Sequence, residues 1–199
     1  MVSTQEKNSC AFWKRLLFSP TLLGKNHSHK VAYIGVLTAF CVVANMLEIK
    51  LGNVQFSLTI CISAFTGLML GGISGFCACF LGDLFGFLIH PFGEYSPWIG
   101  ISTGCMALIV GWAVYALPNA KQFLRIKLTV ACVLIFIVCT AGITTVYLNK
   151  VWFASMSYIE YLSFRLFAQG QIYNSIVNSV LVVVGLPFVA KIKALRILL

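Results

Sequence analysis

Six apolar runs, at residues 31–49, 56–70, 73–89, 98–117, 126–148 and 170–190, take up most of this 199-residue chain. Hydrocarbon offers a backbone amide no hydrogen-bond partner, so segments of this kind cross a bilayer as helices that satisfy their own N–H and C=O groups. A perpendicular crossing takes about 20 residues, and the shorter runs predict tilt or local thinning of the bilayer. The breaks are chemically marked by Gly52-Asn53, Gly71-Gly72, the segment from Pro91 to Pro97, Pro118-Asn119 and the polar stretch from Asn149 to Gln169. With 60% hydrophobic and 10% charged residues, the chain lacks the charged surface that a soluble core of this size needs. The expected fold class is an all-α integral membrane protein with six transmembrane helices. Residues 31–190 form the bundle, 1–30 a cytoplasmic or interfacial N-terminal segment, and 191–199 a cytoplasmic tail.

Charge placement sets the orientation. Lys7, Lys14, Arg15, Lys25 and Lys30 precede the first run, Lys121, Arg125 and Lys127 follow the fourth, and Lys191, Lys193 and Arg196 lie in the tail. Only Lys50, Lys150 and Arg165 fall on the other side. Cytoplasmic loops collect the Lys and Arg excess, so both termini are expected in the cytoplasm. The net charge of +9 therefore reads as topology; the basic residues form no patch interleaved with exposed aromatics, and no nucleic-acid partner is expected. The apolar piece at 10–18 is interrupted by Lys14 and Arg15, which favours an interfacial helix anchored by Trp13 over a cleaved signal peptide. The eight cysteines sit mostly inside apolar runs without metal-ligand spacing and read as small packing residues. Neither a metal nor a cofactor is expected.

Residues 67–97 carry the most information. Asp83 stands in an otherwise apolar run with glycines at 71, 75, 82 and 86. An acid at membrane depth is costly unless it faces a cavity or a partner, and glycines let neighbouring backbones approach. With the topology above, the other polar residues gather on one side of the membrane: Asn45 and Glu48 end the first run, Gln55 opens the second, His90, Glu94, Tyr95 and Trp98 surround the third loop, and Arg165 and Gln169 precede the sixth run. An outward-facing pocket follows.

Several of these residues have two readings. Gln171, Asn174 and Asn178 share one helical face, where amides hydrogen-bond either a heterocyclic ligand or a neighbouring helix. Arg165 suits a ligand's carboxylate or phosphate, or snorkels to pair with Glu160. Tyr95 and Trp98 either stack on a planar ring or anchor helix ends at the lipid boundary. Asp83 otherwise caps a helix–helix hydrogen bond. Gly35 and Ala39 form a small-xxx-small pair that packs two helices of one chain or docks a partner subunit.

No Gly-x-x-x-x-Gly-Lys-Ser/Thr loop, His-Glu-x-x-His or Gly-x-Ser-x-Gly motif occurs, and no intramembrane Ser–His or paired-Asp arrangement. The chain is not expected to be an enzyme. Its halves are not visibly related, which disfavours a secondary transporter built on inverted repeats.

Gly67-Leu68, Gly71, Gly75, Gly82-Asp83-Leu84, Gly86, Pro91-x-Gly93-x-Tyr95-x-Pro97 and Arg165-Leu166, together with the Gly35/Ala39 pair, resemble the substrate-binding S components of energy-coupling factor (ECF) vitamin transporters, in their folate-type branch. The likeness covers roughly residues 30–190. It implies a six-helix protein of the bacterial plasma membrane that captures a vitamin or nucleobase-like compound from outside. Delivery would follow docking on a transmembrane T component driven by two ABC ATPases, with toppling of the S component in the bilayer. The family's Ala-x-x-x-Ala-type docking motif on the first helix is matched by Gly35 and Ala39. Where folate binders tend to carry a basic residue near the end of that helix, this chain has Asn45-Met46; related members of the branch serve queuosine precursors such as queuine, or cobalamin. The expected ligand-binding residues are Asn45, Asp83, Tyr95, Trp98, Arg165, Gln169, Gln171 and Asn174. Arg165 would meet an acidic tail, amides would read a ring edge, Asp83 would support the end of the third helix, and loops one, three and five would form a lid. A solitary secondary transporter and a non-transporting membrane scaffold are the rival classes.

Overall fold

The apolar runs emerge as helices whose ends the polar residues adjust. The computed structural model describes residues 18–47, 49–51, 54–91, 94–115 and 123–189. In chain order the elements are α1 (Pro20–Leu23), α2 (His27–Met46), β1 (Ile49–Leu51), β2 (Val54–Phe56), α3 (Thr59–Leu70), α4 (Gly72–Ile89), α5 (Pro97–Tyr115), α6 (Leu124–Trp152), α7 (Tyr158–Ser163) and α8 (Gln171–Val189). Five of them, α2, α4, α5, α6 and α8, are long and apolar enough to cross a membrane. With 12 residues, α3 extends about 18 Å, less than the roughly 30 Å hydrocarbon core.

The departures from the expected boundaries have local causes. Hydropathy places the start of the first span at residue 31, but α2 starts at His27, because a helix can continue through polar residues that hydropathy cannot count. The second run was expected to be helical from residue 56; instead Phe56 closes an antiparallel hairpin in which Ile49, Lys50 and Leu51 pair with Phe56, Gln55 and Val54. The stretch 149–169, expected as a polar break, holds the end of α6 and all of α7. A capping box nucleates α7: the Glu160 N–H donates to Ser157 Oγ at 3.3 Å and the Ser157 N–H to Glu160 Oε2 at 3.0 Å. Past α7 the chain continues as a π-helical turn, Phe164–Ala168, and α6 carries a ten-residue π-helical stretch, Ile135–Thr144. Such wide turns concentrate at functional sites.

Helix α5 is the hub, packing on α3, α4 and α6. Around it lies a core of Ile60, Ala64, Leu68, Met106, Val110, Leu128, Ala131, Ile135, Val182 and Leu186. Cys41, Cys79, Cys132 and Cys139 are buried as the small packing residues the sequence suggests. The bundle closes this tightly because side chains are missing at the crossings. A Cβ at Gly82 would lie 2.5 Å from Cys41 Cβ on α2, and one at Gly111 would lie 2.5 Å from the Gly72 amide nitrogen. Gly71, at φ +98°, makes the turn between α3 and α4 in a conformation open to glycine. Residues 18–22 lie across that turn: Ser19 donates its N–H to Leu70 O and its hydroxyl to Met69 O, both at 2.8 Å, which satisfies carbonyls the end of α3 leaves open. Outside the core, Val31, Val36, Val43, Val130, Val133, Ile137 and Val184 are exposed, an apolar perimeter suited to lipid. Residues 1–17 and 190–199, including Trp13 and the expected tail, lie outside the described residues.

Gly111→Ala should therefore lower the midpoint of thermal unfolding in detergent, since the turn backbone at Gly71–Gly72 must shift at a cost of about 1–3 kcal/mol. Gly185→Ala, where nothing lies within 4 Å of the added carbon, should leave the midpoint unchanged or slightly raised.

Candidate ligand-binding cavity

The ends of α2, α4 and α6 and the starts of α3, α5 and α8 meet at one end of the bundle, where they surround a cavity of about 700 Å³. That volume lies in the range of small-molecule sites. All three connections at this end contribute to the lining: Ser57 behind the hairpin, His90, Glu94, Tyr95 and Ser96 between α4 and α5, and Phe153, Tyr161, Arg165 and Gln169 between α6 and α8.

The base of one wall is a closed hydrogen-bond network. Asn178, fully buried, accepts the Cys61 N–H at 3.1 Å and directs its amide nitrogen at Ser57 O (2.8 Å) and at Asn174 O and Oδ1 (both 2.9 Å). Asn174 Oδ1 also accepts the Ser57 N–H at 3.3 Å. Leu58 at the N-cap position of α3 has no side-chain acceptor to offer, so α8 supplies the cap that α3 lacks. Of the two readings of Asn178, the geometry is that of helix packing. Asn174 both joins this network and lines the cavity.

Arg165 lies on a different wall. It is 8% exposed, and its Nη1 donates to Thr145 Oγ1 at 2.8 Å, which in turn donates to Thr140 O at 2.6 Å. Glu160 is engaged in the capping box, and among the described residues no carboxylate lies within ion-pair distance of Arg165. The alternative pairing with Glu160 is thereby corrected: the guanidinium turns inward because the π-helical turn after α7 aims it at α6. Burial lowers its pKa and the neighbouring Tyr161 opposes that shift; an arginine remains charged in either case. Tyr161 stacks on Phe153, with centroids 4.7 Å apart and planes at 23°.

Asp83 faces a third region. A Cβ at Gly100 would lie 3.1 Å from Asp83 Oδ2 and 3.0 Å from Tyr95 Oη, so the two oxygens converge over a glycine. The Tyr95 hydroxyl is held above its ordinary pKa by burial and by the charge of Asp83. The Tyr95 ring lies against Phe87, centroids 5.1 Å apart.

A family model described as the S component of an ECF-type riboflavin transporter matches residues 25–194. The chain belongs to this family of S components. Such proteins are the substrate-binding subunits of transporters and not enzymes, and the apolar helices make this one a multi-pass membrane protein. Among solved structures, the crystal structure of FolT bound with folic acid matches with a TM-score of 0.66 at 17% identity, over 85% of this chain and 96% of that one. At this identity the likeness is one of fold. No curated protein matches the sequence.

In this S component, seven of the eight expected ligand-binding residues, Asn45, Asp83, Tyr95, Arg165, Gln169, Gln171 and Asn174, border the one cavity. Trp98 does not: it is 53% exposed and is not part of the lining. Glu48 lies outside the described residues. Gly35 and Ala39 are on the exposed face of α2, with nothing within 4 Å of a Cβ at Gly35, so among the described residues this pair packs no helix of its own chain. Sequence reasoning passed over the hydroxyls on the apolar helices: Thr144 donates to Ser102 Oγ at 2.8 Å, and Ser102, Thr103, Thr140 and Thr144 all line the cavity. The spacing of Thr140, Thr144 and Thr145 along one side of α6 was the available signal.

Asn178→Ala should destabilise the S component by about 1–3 kcal/mol, because it strands the Cys61 N–H and the Ser57 carbonyl without their partner. Thermal unfolding in detergent measures this, and faster amide exchange confined to the first turn of α3 would locate it.

Proposed function

We propose that this S component captures a heterocyclic vitamin-like micronutrient from the outer face of the membrane and delivers it to a membrane-embedded T component driven by two ABC ATPases. A folate-like compound is the first candidate; a queuosine precursor such as queuine, or cobalamin, is the alternative. The observation that carries the reading is Arg165, a buried cation without a carboxylate partner among the described residues, on the wall of a cavity of about 700 Å³ at one end of the bundle. A buried charge is costly unless it is paired, and an arriving anionic group supplies the pair. The aromatic pairs Phe87–Tyr95 and Phe153–Tyr161 give a planar ring two flanking surfaces. Asn45, Gln169, Gln171 and Asn174 supply amides to its polar edge. The fold shared with FolT, solved with folic acid, and membership in a family named for riboflavin transport support a vitamin-sized cargo.

Read as six crossings with both termini in the cytoplasm, the bundle opens its cavity outward, since α2 then begins on the cytoplasmic side and ends at Met46. The hairpin and the segments between α4 and α5 and between α6 and α8 then act as the lid. On the outer face of α2, Gly35 and Ala39 leave a shallow strip between exposed Val31, Val36 and Phe40, and this strip is assigned to the T component.

Arg165→Ala should weaken folate binding by about ten- to a hundredfold, the equivalent of losing hydrogen bonds to a charged group, as read by isothermal titration calorimetry of the detergent-purified protein. Because ligand that binds only the folded state raises apparent stability, a melting-temperature screen over folate, queuine, cobalamin and riboflavin tests capture directly. A flat response to all four would favour the scaffold class.

Gly35→Leu combined with Ala39→Leu should abolish uptake by cells while sparing binding by the isolated protein. Uptake in cells without a T component would instead favour a solitary transporter.

A further inference from the structure

The polar groups around the cavity are not equally satisfied. The Asn178 amide and the Asn174 side-chain oxygen are taken up by Ser57, Cys61 and each other, and the hydroxyls of Ser102 and Thr144 bond to each other. The corner formed by Asp83, Tyr95 and Ser96 is different. Tyr95 Oη and Ser96 Oγ are buried without a hydrogen-bond partner, and Ser96 as a whole is 7% exposed. Among the described residues the Asp83 carboxylate makes neither a hydrogen bond nor an ion pair. More than nine in ten buried polar groups in folded proteins find a partner, and one left open is destabilising. Two buried hydroxyls left open beside a half-buried carboxylate, all bordering one cavity, point to a guest that completes them.

The chemistry of the corner defines the guest's edge. An ionised carboxylate only accepts hydrogen bonds and takes them two at a time from a pair of adjacent donors, whereas the two hydroxyls beside it donate or accept as required. Gly100 keeps the approach open: a Cβ there would crowd Asp83 Oδ2, Tyr95 Oη and the Phe80 ring at 3.0–3.2 Å. The neighbouring Phe87–Tyr95 ring pair favours a flat partner. We infer that Asp83 is the specificity residue of the cavity, binding side-on the two adjacent N–H donors of a 2-amino-4-oxopyrimidine ring while the Tyr95 and Ser96 hydroxyls take the ring carbonyl and ring nitrogen beside them. This assignment rests on the capture reading above and adds to it a direction: the donor edge meets the α4–α5 corner and the acidic group reaches Arg165 on the α6–α7 side. It also excludes a class of guest. A ring imide, with its single N–H set between two carbonyls as in an isoalloxazine, would turn a carbonyl oxygen against the carboxylate.

Two probes that differ only at this edge test it: pterin-6-carboxylate, with adjacent N–H donors, and lumazine-6-carboxylate, in which the 2-amino group is replaced by oxygen. Titration calorimetry of the full-length protein in nanodiscs should give at least about tenfold tighter binding of the pterin, because a site built to bond an N–H rejects the analogue that lacks it. Asp83→Asn, which exchanges one acceptor for a donor, should bring the ratio to about one or reverse it, and Gly100→Ala should weaken both probes. Equal binding of the two probes by the unaltered protein, or an equal loss for both in Asp83→Asn, overturns the inference; the unaltered protein's ratio decides alone should the variant fail to fold. Stabilisation by riboflavin but by neither probe also overturns it and leaves the capture reading standing. Stabilisation by no heterocycle at all overturns both.

Discussion

A polar side chain inside a bilayer must find its partner within the protein, because the surrounding hydrocarbon has none to give. This S component meets the requirement in two ways. Along the helix contacts it closes its bonds internally: Asn178 caps α3, Thr144 and Ser102 join α6 to α5, and Ser19 takes the last carbonyls of α3. At one end of the bundle it leaves the Tyr95 and Ser96 hydroxyls without partners and, among the described residues, the charges of Arg165 and Asp83 unpaired, all four bordering a common hollow. The contrast separates side chains that hold the fold from side chains that await something else.

The hollow is a product of how the helices are drawn together. Glycines at 67, 75, 82 and 111 let α4 and the turn before it approach α2, α3 and α5 almost backbone to backbone. Helix α6 is widened by its π-helical stretch over Ile135–Thr144, and it turns Thr140 and Thr144 inward. The π-helical turn after α7 brings Arg165 up to meet Thr145. Tight packing on one side and widened turns on the other thus give the cavity two unlike walls, one carrying Asn45, Asp83, Tyr95 and Ser96, the other the hydroxyls of α6 and a cation.

Much of this was legible in the sequence. Hydropathy located all the long helices, since bilayer thickness dictates their length and composition, and the family resemblance drawn from the Gly-Asp-Leu and Pro-x-Gly-x-Tyr-x-Pro motifs agrees with the family that matches residues 25–194. The periodicity of Gln171, Asn174 and Asn178 placed three amides on one face, but not the finding that Asn178 is consumed by the backbone of α3; that depends on which helix lies opposite. Helix α7 was missed because a span-length window averages its tyrosines and isoleucine with the charges around them, although Ser157-x-x-Glu160 spells its cap. The exposure of Trp98 was not readable either, since an aromatic at a helix start serves a pocket and a lipid interface equally well.

Ser57 is gripped from both sides by the amides of α8, directly behind the hairpin Ile49–Phe56. The ribbon is thereby tied at its root to α8, by the same two amides that cap α3. One pair of asparagines therefore serves as clasp for both strand and helix, so that the rim of the hollow and the wall beneath it stand or fall together.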